Sequence, residues 1–160
     1  MKENACCFIG HRKTEETEAL TLELRKTVEN LIAEDGVDTF LFGSKSGFND
    51  VCYTVVTELK EKFPHIKRVY VRAEYPYISE NYKKYLLEKY EDTYFPEKAL
   101  GSGKSVYIKR NCEMIDKSKF CVICFDEHLA PKTRKSGTEI AYNYAMKNKK
   151  LVILLCTKQK

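Results

Sequence analysis

Short runs of apolar residues alternate along this chain with longer segments of helical periodicity, and this alternation limits the folds open to it. The runs lack the polar alternation of a half-exposed strand, so each is predicted to be a strand buried on both faces. They lie at residues 5–9, 39–42, 69–71, 120–125 and 151–155, with a short additional strand at 92–95. Buried strands separated by helices predict a parallel sheet that helices cover on both sides.

The intervals between the strands carry helical patterns. In the first, Leu20, Leu24 and Val28 fall on one face, and Thr14 and Thr17 are candidate N-caps. Asn49 or Asp50 is the expected cap of the second, and further helices are predicted at 80–90, 105–115 and 139–146. Residues 1–160 therefore predict one α/β domain: a three-layer, Rossmann-like fold with a mostly parallel sheet of about five strands.

Composition supports a globular protein. Apolar residues make up 43% of the chain and charged residues 32%, which favours a packed core over disorder. No apolar run approaches the roughly 20 residues of a membrane-spanning helix, and the first residues lack the apolar stretch of a signal peptide. We expect a cytoplasmic protein without a membrane partner. The net charge of +5 is mild, and suits an anionic small ligand, a weak nucleic-acid contact or a solvated surface.

Seven cysteines raise the question of a metal site or a disulfide scaffold. Cys121 and Cys124 have CxxC spacing, but residues three apart in a strand point to opposite faces, so one metal ion cannot take both thiolates. No second CxxC or histidine pair completes a ligand set. The sequence predicts no metal and no cofactor, and the cysteines are interpreted as seven unpaired thiols in a reducing compartment.

Ligands of doubly wound folds bind beyond the carboxyl ends of the strands, so the residues that follow each strand are the candidate site. Small residues at such turns let backbone N–H groups approach an anion, and two such turns on neighbouring strands can grip phosphate or sugar oxygens jointly. The structural alternative is ordinary loop and capping chemistry. The candidates are Gly10, His11 and Arg12; Gly43, Ser44, Gly47, Asn49 and Asp50; Arg72 and Glu74; and Ser136, Gly137 and Thr138.

Each candidate side chain has an expected role. Arg12, Arg72 and Arg110 are expected near the turns, where Arg12 and Arg110 would pair with phosphate. Asn49, Asp50 or Glu74 would meet ribose hydroxyls or a base. His11 is a candidate general base or phosphate-orienting group, although a lone histidine is more often a binding or structural residue.

Residues 101–105, Gly-Ser-Gly-Lys-Ser, resemble the end of a phosphate-binding Walker A motif. That motif needs a glycine where this chain has Lys98, and the preceding residues do not form a buried strand. A turn that leads into the helix at Ser105 is the better interpretation.

The order of these segments resembles the SLOG superfamily, and in particular its YpsA-like branch, described mainly as a domain of unknown function. The resemblance covers nearly the whole chain: residues 8–12, 43–50, 69–74, 110–116 and 136–138. It implies a pocket for a nucleotide or a nucleotide-derived ligand at the carboxyl ends of the strands, with Arg110, Asn111 and the turn at Ser136 among its residues.

The same superfamily includes the LOG phosphoribohydrolases, whose R-K-x-x-M and P-G-G-x-G-T-x-x-E segments supply an arginine and a glutamate to N-glycosidic bond cleavage. Arg110 and Met114 match the first segment, and Gly137-Thr138 the end of the second. Ala141 stands where the glutamate belongs, and alanine cannot stabilise a positively charged sugar. Glu139 is a substitute, about 200° around the helix from residue 141.

Three hypotheses follow. The first is binding or sensing of a phosphorylated, nucleotide-derived small molecule. The second is a nucleoside-phosphate N-glycosidase with Arg110 and Glu139 as candidate catalytic residues. The third, suggested by the DprA members of the superfamily, is nucleic-acid or protein interaction through Tyr75, Tyr77, Tyr82 and Tyr85, for which tyrosine packing is the plainer interpretation. A homodimer is compatible with the architecture, although no interface stripe is evident.

Overall fold

Strands and helices alternate in the computed structural model, which describes residues 4–11, 17–43, 46–125 and 136–155. Over these residues the strands are β1 (Ala5–Gly10), β2 (Thr39–Phe42), β3 (Lys67–Val71), β4 (Asp92–Tyr94), β5 (Phe120–Cys124) and β6 (Leu151–Leu155). The helices are α1 (Glu18–Ala33), α2 (Gly47–Lys62), α3 (Glu80–Lys89), α4 (Val106–Asp116) and α5 (Gly137–Lys147).

The strands form one parallel sheet in the order β4-β3-β2-β1-β5-β6. The chain builds outward from β1 to β4, then crosses back through α4 to add β5 and β6 on the other side of β1. The predicted parallel α/β sheet is confirmed, with six strands where about five were expected. The direction of winding reverses between β1 and β5, which is where doubly wound folds bind their ligands.

Two core clusters cover the two faces of the sheet. On one face, side chains of α1 and α2 such as Leu24 and Val55 pack against Phe8 and Phe42 of the sheet. On the other, Met114 of α4 and Ala145 of α5 pack against strand residues that include Ile123. Helices therefore lie on both faces, as the continuous apolar strands predict.

Serine and threonine side chains fix where the helices begin. The hydroxyls of Thr17, Ser46, Ser79 and Ser136 each accept a hydrogen bond from the backbone N–H three residues on, at 3.0–3.1 Å. The prediction that Asn49 or Asp50 caps the second helix is wrong, because Ser46 precedes Gly47 and already satisfies that first-turn N–H. Thr14, the other cap candidate of α1, lies outside the described residues.

The cysteines are mostly buried thiols. Cys6, Cys7, Cys52, Cys112 and Cys121 are free, and burial raises the pKa of Cys6 and of Cys52, which makes them unreactive. Cys121 and Cys124 belong to opposite core clusters, as predicted. The expectation of seven unpaired thiols is wrong at Cys124, which is disulfide-bonded. Cys156 lies outside the described residues.

Two further features correspond to the sequence. Gly103–Ser105 forms a short 3-10 turn that leads directly into α4, which is the interpretation preferred over a Walker A loop. None of the helices in the described ranges combines the length and the apolar character needed to cross a bilayer.

An ion pair ties β3 to the turn before β4 and gives the fold a measurable pH dependence. Nε and Nη2 of Arg68 donate to the two carboxylate oxygens of Glu91 at 3.1 and 2.7 Å. Burial opposes the charged form of Glu91, but its hydrogen bonds with Arg68 outweigh burial, so the pKa of Glu91 lies below its usual value.

A lowered pKa in the folded state stabilises the fold above the unfolded pKa and ceases to do so as pH falls through the folded value. We expect Glu91→Gln to cost about 1 kcal/mol at pH 7, a magnitude typical of partly exposed pairs. We also expect this variant to lose less stability than the parent as pH falls from 5 toward 3. Urea titrations at several pH values measure both effects, and parallel curves would contradict the assignment.

Candidate functional site

The candidate residues gather where predicted, at the carboxyl edge of the sheet, but they are arranged differently. Gly10 ends β1, Gly43 follows β2, Arg72 follows β3 and Ser136 precedes α5. The expectation that the glycine-rich turns follow neighbouring strands is wrong, because β1 lies between β2 and β5. The two turns therefore flank the end of β1 instead of adjoining one another.

The helices that follow these turns point their N-termini at that edge from opposite faces. α2 packs in the first core cluster and α5 in the second. The hydroxyls of Ser46 and Ser136 accept hydrogen bonds from the first turns of these helices and so act as N-caps. Capping is the structural alternative to ligand binding that the sequence analysis gave for these turns. The partial positive charge of both helix N-termini nevertheless points toward the edge where β1 ends.

Arg110 of α4 lies across the ends of β2 and β3 and is 4% exposed. Its Nη1 donates to the carbonyl oxygens of Gly43 and Val71 at 2.5 and 3.4 Å, and its Nε donates to Oδ1 of Asn111 at 3.0 Å. All these acceptors are neutral, and no ion pair between described residues includes Arg110. Burial lowers the pKa of Arg110, and the negative charge of Glu74 partly opposes this shift by favouring the charged guanidinium.

Arg72 is also buried, and it donates to the loop that follows β3 and to β4. Nε donates to the carbonyl of Tyr75 at 3.0 Å, Nη1 to the hydroxyl of Thr93 at 3.1 Å and Nη2 to the carbonyl of Pro76 at 3.4 Å. Each of its three nitrogens has a neutral partner. Arg72 thus anchors a loop, whereas Nη2 of Arg110 donates no hydrogen bond to a described residue.

Two candidate glycines make room for protein side chains. A Cβ on Gly10 would lie 2.5 Å from Cδ2 and 2.7 Å from Cβ of Phe48, in the first turn of α2. A Cβ on Gly43 would lie 2.6 Å from Sδ of Met114 and 2.7 Å from Cδ of Arg110. At Gly137, by contrast, a Cβ would meet no described atom within 4 Å outside its own helix and its chain neighbours.

Polar and aromatic side chains complete the edge. Asn49 is 7% exposed, and its Oδ1 has no hydrogen-bond partner among the described residues. The His11 ring is buried and lies 5.6 Å from the ring of Phe125, which in turn stacks on Tyr142 at 5.7 Å. Phe125 and Tyr142 were not predicted as site residues, because the fourth apolar run of the sequence extends to residue 125, whereas β5 ends at Cys124.

The remaining candidates divide into four groups. Arg12 and Ser44 lie outside the described residues. Asp50 and Glu74 are exposed, Gly47, Asn111 and Glu139 are half-buried, and Thr138 is buried in the first turn of α5. Ala141, at the position of the LOG glutamate, is buried in the core cluster beneath α5.

A groove of about 630 Å³ lies elsewhere and contains none of the candidate residues. Residues 94–98, the last turns of α4 and the turn between α5 and β6 line it, with lysines and carboxylates mixed. Over the described ranges, no three His, Cys, Asp or Glu side chains are close enough to hold a metal ion.

The family model YpsA, described as the YspA SLOG family, matches residues 8–159. No curated protein matches the chain. The match begins within β1 and continues past the end of β6.

Proposed function

Because the chain belongs to the YspA SLOG family, we propose that it binds a phosphorylated, nucleotide-derived small molecule at the carboxyl edge of its sheet. The observation that carries this proposal is the buried guanidinium of Arg110, whose hydrogen-bond acceptors are all neutral and which forms no ion pair with a described residue. A buried charge is costly unless an opposite charge compensates it. A phosphate at Nη2 would provide that compensation through charge-assisted hydrogen bonds.

The first turn of α5 supplies a second contact for the same phosphate. α5 and α4 pack side by side in the same core cluster, so the N-terminus of α5 and Arg110 lie on the same face and at the same edge of the sheet. Backbone N–H groups at a helix N-terminus bind anions, and Gly137 leaves the approach to them open.

The remainder of the ligand would extend toward β1 and α2. The Oδ1 of Asn49, buried and without a described partner, needs a hydrogen-bond donor such as a ribose hydroxyl or an exocyclic amine. The row of rings formed by His11, Phe125 and Tyr142 is suited to a planar base. A ligand that combines a phosphate, a hydrogen-bond donor and a planar ring has the features of a nucleotide.

The residues at the site favour ligand binding without hydrolysis. Ala141 is buried against the sheet and carries no carboxylate, while Glu139 is half-buried in the first turn of α5. The proposal also places the protein in the cytoplasm. Five of the described cysteines are free thiols, which is typical of a reducing compartment. The disulfide at Cys124 is atypical of such a compartment and counts against a cytoplasmic location.

A thermal-shift screen tests the proposal. The panel contains nucleoside monophosphates and diphosphates, ADP-ribose species and nucleotide sugars, with the matching nucleosides and inorganic phosphate as controls. A ligand at a hundred times its Kd adds about 2.7 kcal/mol, which raises Tm by about 5–10 °C in a chain of this length. We expect phosphorylated members to raise Tm and the nucleosides to do so much less. No shift across the panel at millimolar ligand would refute the proposal.

The same samples test the hydrolytic alternative. Chromatography of each nucleotide after overnight incubation would reveal a released base. We expect intact nucleotides. If base is released and Glu139→Gln abolishes the release, the chain is an N-glycosidase that uses Glu139.

A second candidate function, binding of single-stranded nucleic acid, rests on a row of tyrosines. The rings of Tyr75 and Tyr82 lie 6.2 Å apart, those of Tyr82 and Tyr85 6.1 Å apart, and Tyr77 is 83% exposed. Exposed rings stack on bases, and binding of this kind weakens steeply with salt. A gel shift with single-stranded oligonucleotides at two salt concentrations, lost in Tyr77→Ala, would favour this function.

A further inference from the structure

The outer edge of β6 is apolar along its whole length. All five residues from Leu151 to Leu155 are apolar, and β6 has one neighbouring strand, β5, among the residues that the structure describes. Leu151 is 50% exposed and Leu154 37% exposed, and Met146 of α5 adds further exposed apolar surface close to them in the chain. An apolar edge strand is a template for pairing with another strand.

The opposite edge of the sheet shows how such an edge is normally protected. β4 has only three residues, Asp92 at its start is exposed and charged, and Pro96 follows two residues after its end. Short length, charge and proline all prevent strand addition. β6 has none of these devices between Leu151 and Leu155, so a covered edge accounts for its sequence better than an open one.

The backbone of β6 presents a defined set of hydrogen-bonding groups at this edge. The N–H of Leu151 donates to the carbonyl of Lys119, at the start of β5, at 3.1 Å. Because backbone groups alternate in direction along a strand, Leu151, Ile153 and Leu155 point theirs toward β5. Val152 and Leu154 point theirs outward, so the edge offers two N–H and two C=O groups.

We infer that a second copy of this chain pairs with β6 in antiparallel orientation, with Ile153 at the twofold axis. In that register Val152 lies opposite Leu154 of the second copy, and the two residues exchange both backbone hydrogen bonds. Leu154 of the first copy and Val152 of the second copy exchange the two equivalent hydrogen bonds. All four outward groups of each copy are satisfied, which makes the edge self-complementary and the interface isologous.

The charges around the edge permit this pairing. Lys149 and Lys150 precede β6, but in the antiparallel register the lysines of the two copies lie at opposite ends of the interface. Lys150 of one copy and Lys150 of the other are offset by six residues, or about 20 Å. That separation exceeds the Debye length of about 8 Å at physiological salt, so their repulsion is screened. The result is a continuous twelve-stranded sheet, derived from two sheets of six.

Sedimentation velocity over a dilution series tests the association. We expect the parent protein to reach twice its 18.6 kDa mass on concentration. Leu154→Lys should remain monomeric at concentrations where Leu87→Lys, a matched change at an exposed leucine of α3 beside the opposite edge, remains dimeric. Circular dichroism establishes that both variants fold. A parent protein that is monomeric up to millimolar concentration, or a dimer that survives Leu154→Lys, overturns the inference.

Cysteine cross-linking tests the register. Residues 153 of the two copies form a non-hydrogen-bonded pair with Cα atoms about 4.5 Å apart, close enough for a disulfide. Residues 151 of the two copies are four residues out of register, or about 13 Å apart. Mild oxidation should therefore cross-link most of Ile153→Cys and little of Leu151→Cys or the parent protein on a non-reducing gel. Equal cross-linking of the two variants would exclude this pairing.

Discussion

Replacing Arg110 by methionine is expected to weaken binding of a phosphorylated ligand by about a hundredfold. A buried guanidinium that contacts phosphate contributes about 3 kcal/mol or more, because removing it leaves the anion in a site without a compensating charge. Methionine retains much of the side-chain volume beside Gly43 and Met114 but provides no donor. Calorimetric titration with the strongest binder of the thermal-shift panel measures the loss.

Stability without ligand should change much less than binding. The substitution removes hydrogen bonds to the carbonyls of Gly43 and Val71, but it also removes a buried charge whose pKa burial has lowered. The two effects oppose one another, so we expect a net change within about 1–2 kcal/mol. Arg25→Met, at a surface pair with Glu58, is the matched control and should affect neither quantity. If Arg110→Met does not fold, Arg110→Lys should fold and bind phosphorylated ligands more weakly, because lysine lacks the forked guanidinium donor. A folded variant of either kind that binds as tightly as the parent protein would contradict the proposed phosphate site.

The fold could be read from the sequence because its signals are local. A strand buried on both faces is a short run of apolar residues, and β5 is buried at every position from Phe120 to Cys124. The face of α1 that carries Leu20, Leu24 and Val28 follows from helical spacing and lies in the core. Strand β4 and the tight turn before α4 were recognisable for the same reason.

Strand order and the identity of the cap residues were harder to predict from the sequence. The position of β1 between β2 and β5 depends on how the chain crosses the sheet through α4, and no spacing of residues in the sequence indicates which strands become neighbours. The cap of α2 was assigned to Asn49 or Asp50 because both are good caps, but Ser46 comes first. That leaves Asn49 buried in the first turn with an unpartnered Oδ1.

The candidate residues were predicted to lie at the carboxyl edge of the sheet, and the described ones do, but their contacts join residues far apart in sequence. Arg110 reaches the carbonyl of Gly43, 67 residues away, and Arg72 reaches Thr93, 21 residues away. The sequence placed Arg12, Arg72 and Arg110 near the turns and could not tell their contacts apart. In the structure every guanidinium nitrogen of Arg72 has a hydrogen-bond partner, whereas Nη2 of Arg110 has none among the described residues.

Replacing Gly10 by alanine is expected to lower the free energy of unfolding by about 3 kcal/mol, or Tm by about 10 °C. The new Cβ would lie 2.5–2.7 Å from atoms of Phe48 that include its Cβ, so a rotation of the ring cannot relieve the clash. The N-terminus of α2 must move away from β1. Urea unfolding measures the loss, and an unchanged midpoint would show that α2 is not fixed against the end of β1.

Gly137→Ala makes the same chemical change at the start of α5 and separates packing from binding. A Cβ there meets no described atom within 4 Å, and alanine has a higher helix propensity than glycine, so stability should be equal or up to about 1 kcal/mol greater. If a phosphate rests against the first turn of α5, however, the added methyl group occupies the approach to the backbone N–H groups. Binding should then fall while the fold is retained, which is the reverse of the Gly10→Ala result. If Gly137→Ala binds every panel member as tightly as the parent protein does, the phosphate does not contact the first turn of α5, and the proposed phosphate contact rests on Arg110.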